Sequence, residues 1–248
     1  LCASGMTAKR VVDGKPTVFG VSGKLWNSDL VMYDRATESL WSQIAATAIR
    51  GPMTGAQLPL VPSSTTTWGA WTADHPETKV LLPPPISGTI RERGARNYRL
   101  DNPYLVYDSI PAVGIGQNEV PTHEADIDLK AMVLGVRADG VAKAYPLDTV
   151  RRIGVLNDAV GDIPVVVAVA EDGETIVAYD RRVQGTTLRF RTSDGNMMQA
   201  GGSHWSITTG RAITGPYQGT HLSTPERTAR LFWFAWLDFN PDTRVYKA

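Results

Sequence analysis

SLWSQIAATAIRGPMTGAQL at residues 39–58 and SHWSITTGRAITGPYQGTHL at residues 203–222 are one stretch written twice. Trp41 aligns with Trp205, Ile49 with Ile213, Gly51-Pro52 with Gly215-Pro216 and Gly55 with Gly219, all at a spacing of 164. One inserted residue later, TTTWGAWTADHPETKVL at 65–81 matches RLFWFAWLDFNPDTRVY at 230–246, with Trp71 on Trp236, Pro76 on Pro241 and Thr78 on Thr243 at a spacing of 165. A repeat of this length means two related folding units.

The match extends upstream. Arg10-Val-Val-Asp-Gly14 with Phe19 matches Arg181-Arg-Val-Gln-Gly185 with Phe190 at a spacing of 171, and Ser28-Asp29 with Met32 matches Ser193-Asp194 with Met197 at 165. The second copy therefore lacks most of Gly20-Val-Ser-Gly-Lys-Leu-Trp-Asn27 and has Arg191-Thr192 in its place. Differences between repeats concentrate where function does, whereas shared apolar and Gly/Pro positions carry the fold. The second copy also has a lead-in, residues 131–172, whose counterpart in the first copy would lie before Leu1. The first unit is thus expected to lack its N-terminal part and to be completed by a preceding segment or by strands of another protein chain.

Lys plus Arg and Asp plus Glu balance at 25 each, which leaves no electrostatic footprint for nucleic acid. No apolar run reaches the roughly 18–20 residues of a membrane span. The single Cys2 excludes an internal disulfide and any zinc site built from cysteines of this chain.

Short alternating runs dominate, and the expected class is α+β and β-rich: two related units of short antiparallel strands, each with one short helix near its C-terminus. Val133–Val136 and Ala142–Tyr145 flank Asp139-Gly140, a hairpin signal. Pro164–Ala170, Thr175–Tyr179 and Thr187–Arg191 read as strands, as do Met6–Val12, Thr17–Val21, Leu30–Tyr33 and Leu40–Ile44 in the first copy. Helices are expected at Thr66–Asp74 and Arg227–Phe239, each stopped by a His-Pro or Asn-Pro, with short strands after them at Lys79–Leu82 and Arg244–Tyr246. The expected boundaries are 1–82 for the first unit, 83–130 for a surface-wrapping linker and 131–248 for the second, complete unit.

Phe19-Gly-Val-Ser-Gly23, Asn27-Ser-Asp-Leu-Val-Met-Tyr-Asp-Arg35, Ser39-Leu-Trp-Ser-Gln43, Gly51-Pro52 and His75-Pro76 in the first half resemble a prokaryotic, internally duplicated family, domain of unknown function 3179. Asn102-Pro-Tyr104, Val133-Leu-Gly-Val136, Ala142-Lys-Ala-Tyr-Pro146, Asp180-Arg181 and Phe232-Trp-Phe-Ala-Trp236 extend the resemblance over nearly the whole chain. It implies an exported protein, periplasmic, secreted or on the cell surface. It also implies a Cys-Pro-Leu-Cys motif in the first unit, of which Leu1-Cys2 are the last two residues, and a Trp-His-Glu segment before it. In the second copy the corresponding positions are Ala170 and Gly173 for the cysteines and Arg152, Ile153 and Gly154 for the segment. No established activity comes with the resemblance.

Cys2 is the foremost candidate, as a reactive thiol or as a ligand to a transition metal such as Cu or Zn whose other ligands lie outside this sequence. A Cys-x-x-Cys pair exchanges disulfides or binds soft metals; the bland alternative is a structural disulfide or a buried small apolar residue. The Gly20–Asn27 segment, with Ser22 and Asn27, reads as a loop able to surround a polar ligand, or else as a tight β connection. Asp29, Asp34, Arg35 and Gln43 complete the candidate ligand-binding set. Asp29 and Asp34 are five apart and so face opposite sides of a strand, and Asp34-Arg35 also fits a turn. Trp68, Trp71 and Phe232–Trp236 read as core-facing helix packing. The four histidines show no metal-ligand spacing, and His75 reads as a helix end.

Overall fold

The computed structural model describes residues 2–80, 104–114 and 121–248. Leu1, the Leu81-Leu82 end of one expected strand and residues 83–103 and 115–120 of the expected linker lie outside the described residues.

The first unit opens with the small hairpin Val11–Val12/Lys15–Pro16 and continues into a four-stranded antiparallel meander: Phe19–Trp26, Asp29–Asp34, Leu40–Ser42 and Thr47–Arg50. It ends in the helix Trp68–Asp74. The second unit repeats this plan with the hairpin Arg182–Val183/Thr186–Thr187, a meander over Arg191–Thr192, Met197–Ala200, Ser203–Ser206 and Ala212–Thr214, and the helix Trp233–Phe239. Its lead-in adds Met132–Ala138, Val141–Pro146, the helix Leu147–Ile153 and the strands Val155–Val160 and Ile163–Val169. Asp139-Gly140, both at positive φ, turns the first of these hairpins as expected.

The correspondence reaches individual atoms. Both meanders carry a register shift just before the shared tryptophan, at Leu40/Trp41 and His204/Trp205. Phe19 meets Trp41 edge-on at 5.6 Å, and Phe190 meets Trp205 at 5.7 Å. Gly51 and Gly215 both have positive φ, and a Cβ on either would lie 2.8 Å or less from the serine or backbone behind it, so only glycine fits. Ser39 Oγ accepts the Met53 N–H and Ser203 Oγ accepts the Tyr217 N–H, both at 3.0 Å.

Several expectations change. Thr187–Arg191 is not one strand but the ends of two, Thr186–Thr187 and Arg191–Thr192. Arg227–Phe239 is not one helix: Arg227–Phe232 is a strand paired with Met132–Ala138, and the helix starts at Trp233. The Gly20–Asn27 segment is not an open loop: it belongs to the strand Phe19–Trp26, where a bulge extrudes Ser22-Gly23 and Asn27-Ser28 form the positive-φ turn. Of Met6–Val12, only Val11–Val12 is a strand, with a lone bridge from Ala8 to Leu60. That bridge stays within the chain.

The units share a core. Cys2 and Ile44 of the first pack with Val133, Ala144, Leu231 and Trp233–Leu237 of the second. Phe232 N–H donates to the Cys2 carbonyl at 3.0 Å, and Arg227 donates to the Ile44 and Ala45 carbonyls at 3.0 and 3.1 Å. In return, Thr66 and Thr67 touch Thr175 and Asp172. Each copy's late segment therefore runs against the other copy's opening segment.

One expected core contact fails in the first unit. Trp233 and Trp236 are fully buried, but their counterparts Trp68 and Trp71 are 56% and 36% exposed. The helix ends are alike, with Trp71 Nε1 donating to Thr78 Oγ1 and Trp236 Nε1 to Thr243 Oγ1, both at 2.8 Å. What differs is the cover: Gly135 of the hairpin Met132–Pro146 lies on Trp236, whereas the Trp71 ring meets His75 at 4.0 Å and stays 36% exposed.

Candidate functional site

Where the first meander meets the second unit, the sequence places a polar cluster inside an apolar seam. Asp29 starts the strand Asp29–Asp34, Ser42 ends Leu40–Ser42 directly across from Val31, and Gln43 follows it. Asp29 is fully buried; its Oδ2 accepts the Ser42 hydroxyl and the Ile44 N–H, both at 2.9 Å. Its Oδ1 faces Cys2 Sγ at 3.9 Å. Cys2 is buried, and its Sγ lies 3.0 Å from Ser4 Oγ, which donates to Gln43 Oε1 at 2.8 Å. Ser4 gives its one proton to Gln43, so the single Cys2 thiol proton has two acceptors before it, Ser4 Oγ at 3.0 Å and Asp29 Oδ1 at 3.9 Å.

Burial pushes the Asp29 carboxyl above the ordinary aspartate value of 3.8, and the Ile44, Ser42 and neighbouring backbone donors only partly offset this. A carboxylate held up by desolvation beside a thiol is a proton acceptor in waiting. The second unit shows what the same framework does without it. The positions equivalent to Cys2, Asp29 and Gln43 are Gly173, the exposed Asp194 and the buried Ile207. Ser206 keeps the equivalent of the Ser42–Ala45 contact, but among the described residues it has no carboxylate to donate to.

The structure thus gathers Cys2, Asp29 and Gln43 and leaves the other candidates elsewhere. Ser22 Oγ bonds the Val31 carbonyl and receives the Lys24 N–H, bracing the bulge. Asn27 turns the hairpin, whose end sets Trp26 edge-on to Phe239 of the second unit at 5.3 Å. Asp34 is also buried, but burial is outweighed by hydrogen bonds from Trp41, Thr37 and Ala36, so its carboxyl stays below 3.8. Arg35 is exposed and lies over the Tyr33 ring. Ser4, Ser42 and Arg227 belong to the cluster and its frame but were not singled out in the sequence. Ser42 carried a misleading signal, since it is shared with Ser206, and Ser4 carried none.

Cys2 and Asp29 supply two metal-type ligands, and among the described residues no three His, Cys, Asp or Glu side chains converge. These residues do not make a Cu or Zn site by themselves. Among the described residues no helix is long and apolar enough to cross a membrane.

A family model described as "Protein of unknown function (DUF3179)" matches residues 1–243, and the chain belongs to that family. No curated protein and no solved structure matches it.

Proposed function

We propose that this DUF3179 protein is an extracytoplasmic thiol protein, in which the first unit holds the reactive group and the second acts as its scaffold. The observation that carries the reading is the Cys2–Asp29 contact at 3.9 Å, made by a buried, proton-hungry carboxyl that the second copy has placed in solvent. A buried carboxyl costs stability unless something compensates, and a cost retained in one repeat only points to use.

In this reading Asp29 takes the Cys2 proton, and the resulting thiolate attacks one sulfur of a disulfide in a partner molecule. The S–S bond breaks, a mixed disulfide forms at Cys2, and the departing thiolate takes the proton back from Asp29. Ser4 turns its hydroxyl toward the sulfur as the charge develops, and Gln43 releases it. Disulfide partners persist outside the cytosol, which agrees with the location the family resemblance implies.

The test is exchange between the folded protein and an aromatic disulfide that releases a coloured thiolate. Asp29→Asn, checked by near-UV circular dichroism, should slow the reaction by about 100-fold, the usual size of a general-base contribution. An unchanged or faster rate refutes the role given to Asp29. A second reading, a binding or assembly protein, is favoured by the exposure of Trp68 and Trp71.

A further inference from the structure

Arg227 and Asp29 stand at the two ends of one chain of hydrogen bonds. Arg227 Nη1 donates to the Ile44 carbonyl at 3.0 Å. The same peptide unit carries the Ala45 N–H, which donates to Ser42 Oγ at 3.1 Å, and Ser42 in turn donates to Asp29 Oδ2 at 2.9 Å. Arg227 Nη2 fastens the next carbonyl, that of Ala45, at 3.1 Å. Ile44, Ser42 and Asp29 are fully buried, so the chain runs where hydrogen bonds polarise one another most.

The second unit holds the same loop with a different clamp. There the Tyr179 hydroxyl lies 2.9 Å from the Ile207 carbonyl and 3.0 Å from the Thr208 carbonyl, and the Thr209 N–H donates to Ser206 Oγ at 3.2 Å. By the repeat, Thr208 and Thr209 stand where Ile44 and Ala45 stand, Tyr179 where Ala8 stands and Arg227 where Pro62 stands. In the second copy a neutral donor of the same unit closes the chain. In the first copy the closing donor is a cation from the other unit, and a carboxylate stands at the far end. That cation is costly. Burial and then Arg137, directly across the sheet, disfavour the Arg227 charge, and its Nε is buried with no hydrogen-bond partner among the described residues.

We infer that Arg227 is a positioning residue for the Cys2–Asp29 pair: through the Ile44–Ala45 peptide and Ser42 it strengthens the bond to Asp29 and stabilises the ionised carboxylate. Burial works against that ionised form, and only an ionised Asp29 can take the Cys2 proton. The inference rests on the thiol reading for its purpose, and it gives the second unit a part in the chemistry beyond support. The ionisable groups around the chain are Cys2 at the Asp29 end and Arg137 and Glu226 at the Arg227 end.

The test is a carbon-13 titration of the Asp29 carboxyl in variants checked for folding by circular dichroism. Arg227→Gln, a neutral donor, should raise the Asp29 midpoint by about half a unit, from a loss of roughly 10–30% in the strength of each bond of the chain. Arg227→Lys keeps the charge and should stay closer to wild type. In a Ser42→Ala background, where the chain is cut, Arg227→Gln should move the midpoint little. An unmoved midpoint in Arg227→Gln overturns the inference, as do equal shifts in the two Arg227 variants or a full shift in the Ser42→Ala background. Wild type supplies a check that needs no substitution at Arg227. Its Arg227 side-chain nitrogen-15 resonances should titrate with the Asp29 midpoint, and their indifference would overturn the inference as well. A thiol-exchange rate indifferent to Asp29→Asn would strike the thiol reading without touching these midpoints, so the two failures are told apart.

Discussion

Trp68→Ala and Trp233→Ala make the same deletion at equivalent positions of the two units, so their difference isolates tertiary cover. A buried tryptophan removes about 200 Å² from water, which at about 25 cal/mol per Å² is worth about 5 kcal/mol. Trp233 is 1% exposed and should lose close to that amount. Trp68 is 56% exposed, so less than half of its surface is at stake and the loss should be about 2 kcal/mol. The expected difference is about 3 kcal/mol, or roughly 6–12 °C in Tm at about 2–4 °C per kcal/mol for a chain of this size. Urea unfolding followed by far-UV circular dichroism measures both variants against wild type, with the slope checked for constancy. Equal losses would refute the reasoning, because Trp68 would then be covered in solution as fully as Trp233.

Asp29→Asn should change how stability depends on pH. A carboxyl whose folded pKa lies above the unfolded value contributes its stability fully below the unfolded value and loses it as pH rises through the folded one. The stability of wild type minus that of Asp29→Asn should therefore fall as pH is raised above 3.8 in urea titrations; a rise would contradict the upward shift. Gly135→Ala should cost about 3 kcal/mol by overpacking against Trp236, whereas Gly69→Ala, in an exposed helix position with nothing within 4 Å, should stabilise by up to about 1 kcal/mol. Thermal unfolding of the two glycine variants reads both signs.

The repeat made the meanders legible because their determinants are local: the Gly51 and Gly215 conformations, the Ser39 and Ser203 caps and the tryptophan behind the bulge recur at fixed spacing. Arg227–Phe239 misled because its apolar run has no period, and its first half is a strand only through pairing with Met132–Arg137, far earlier in the chain. Trp68 and Trp71 misled for the same reason. Their local sequence matches that of Trp233 and Trp236, and burial is decided by a distant hairpin. At Gly20–Asn27 the two glycines suggested a loop, but Gly23 serves a bulge, at φ +74°.

The site was half legible. Cys2, Asp29 and Gln43 were among the candidates, Cys2 foremost because the second copy has Gly173 in its place, and the fold brings all three together. That Asp29 would be buried was not readable, because Asp194 at the equivalent position is exposed; only the longer strand of the first unit carries Asp29 into the seam.

The most direct test of the thiol–carboxyl pair is a carbon-13 NMR titration of the Asp29 carboxyl in wild type and in Cys2→Ala. In wild type the carboxyl should titrate above 3.8, and removal of the Cys2 thiol should move its midpoint. A midpoint at or below 3.8, or one indifferent to Cys2, would contradict it.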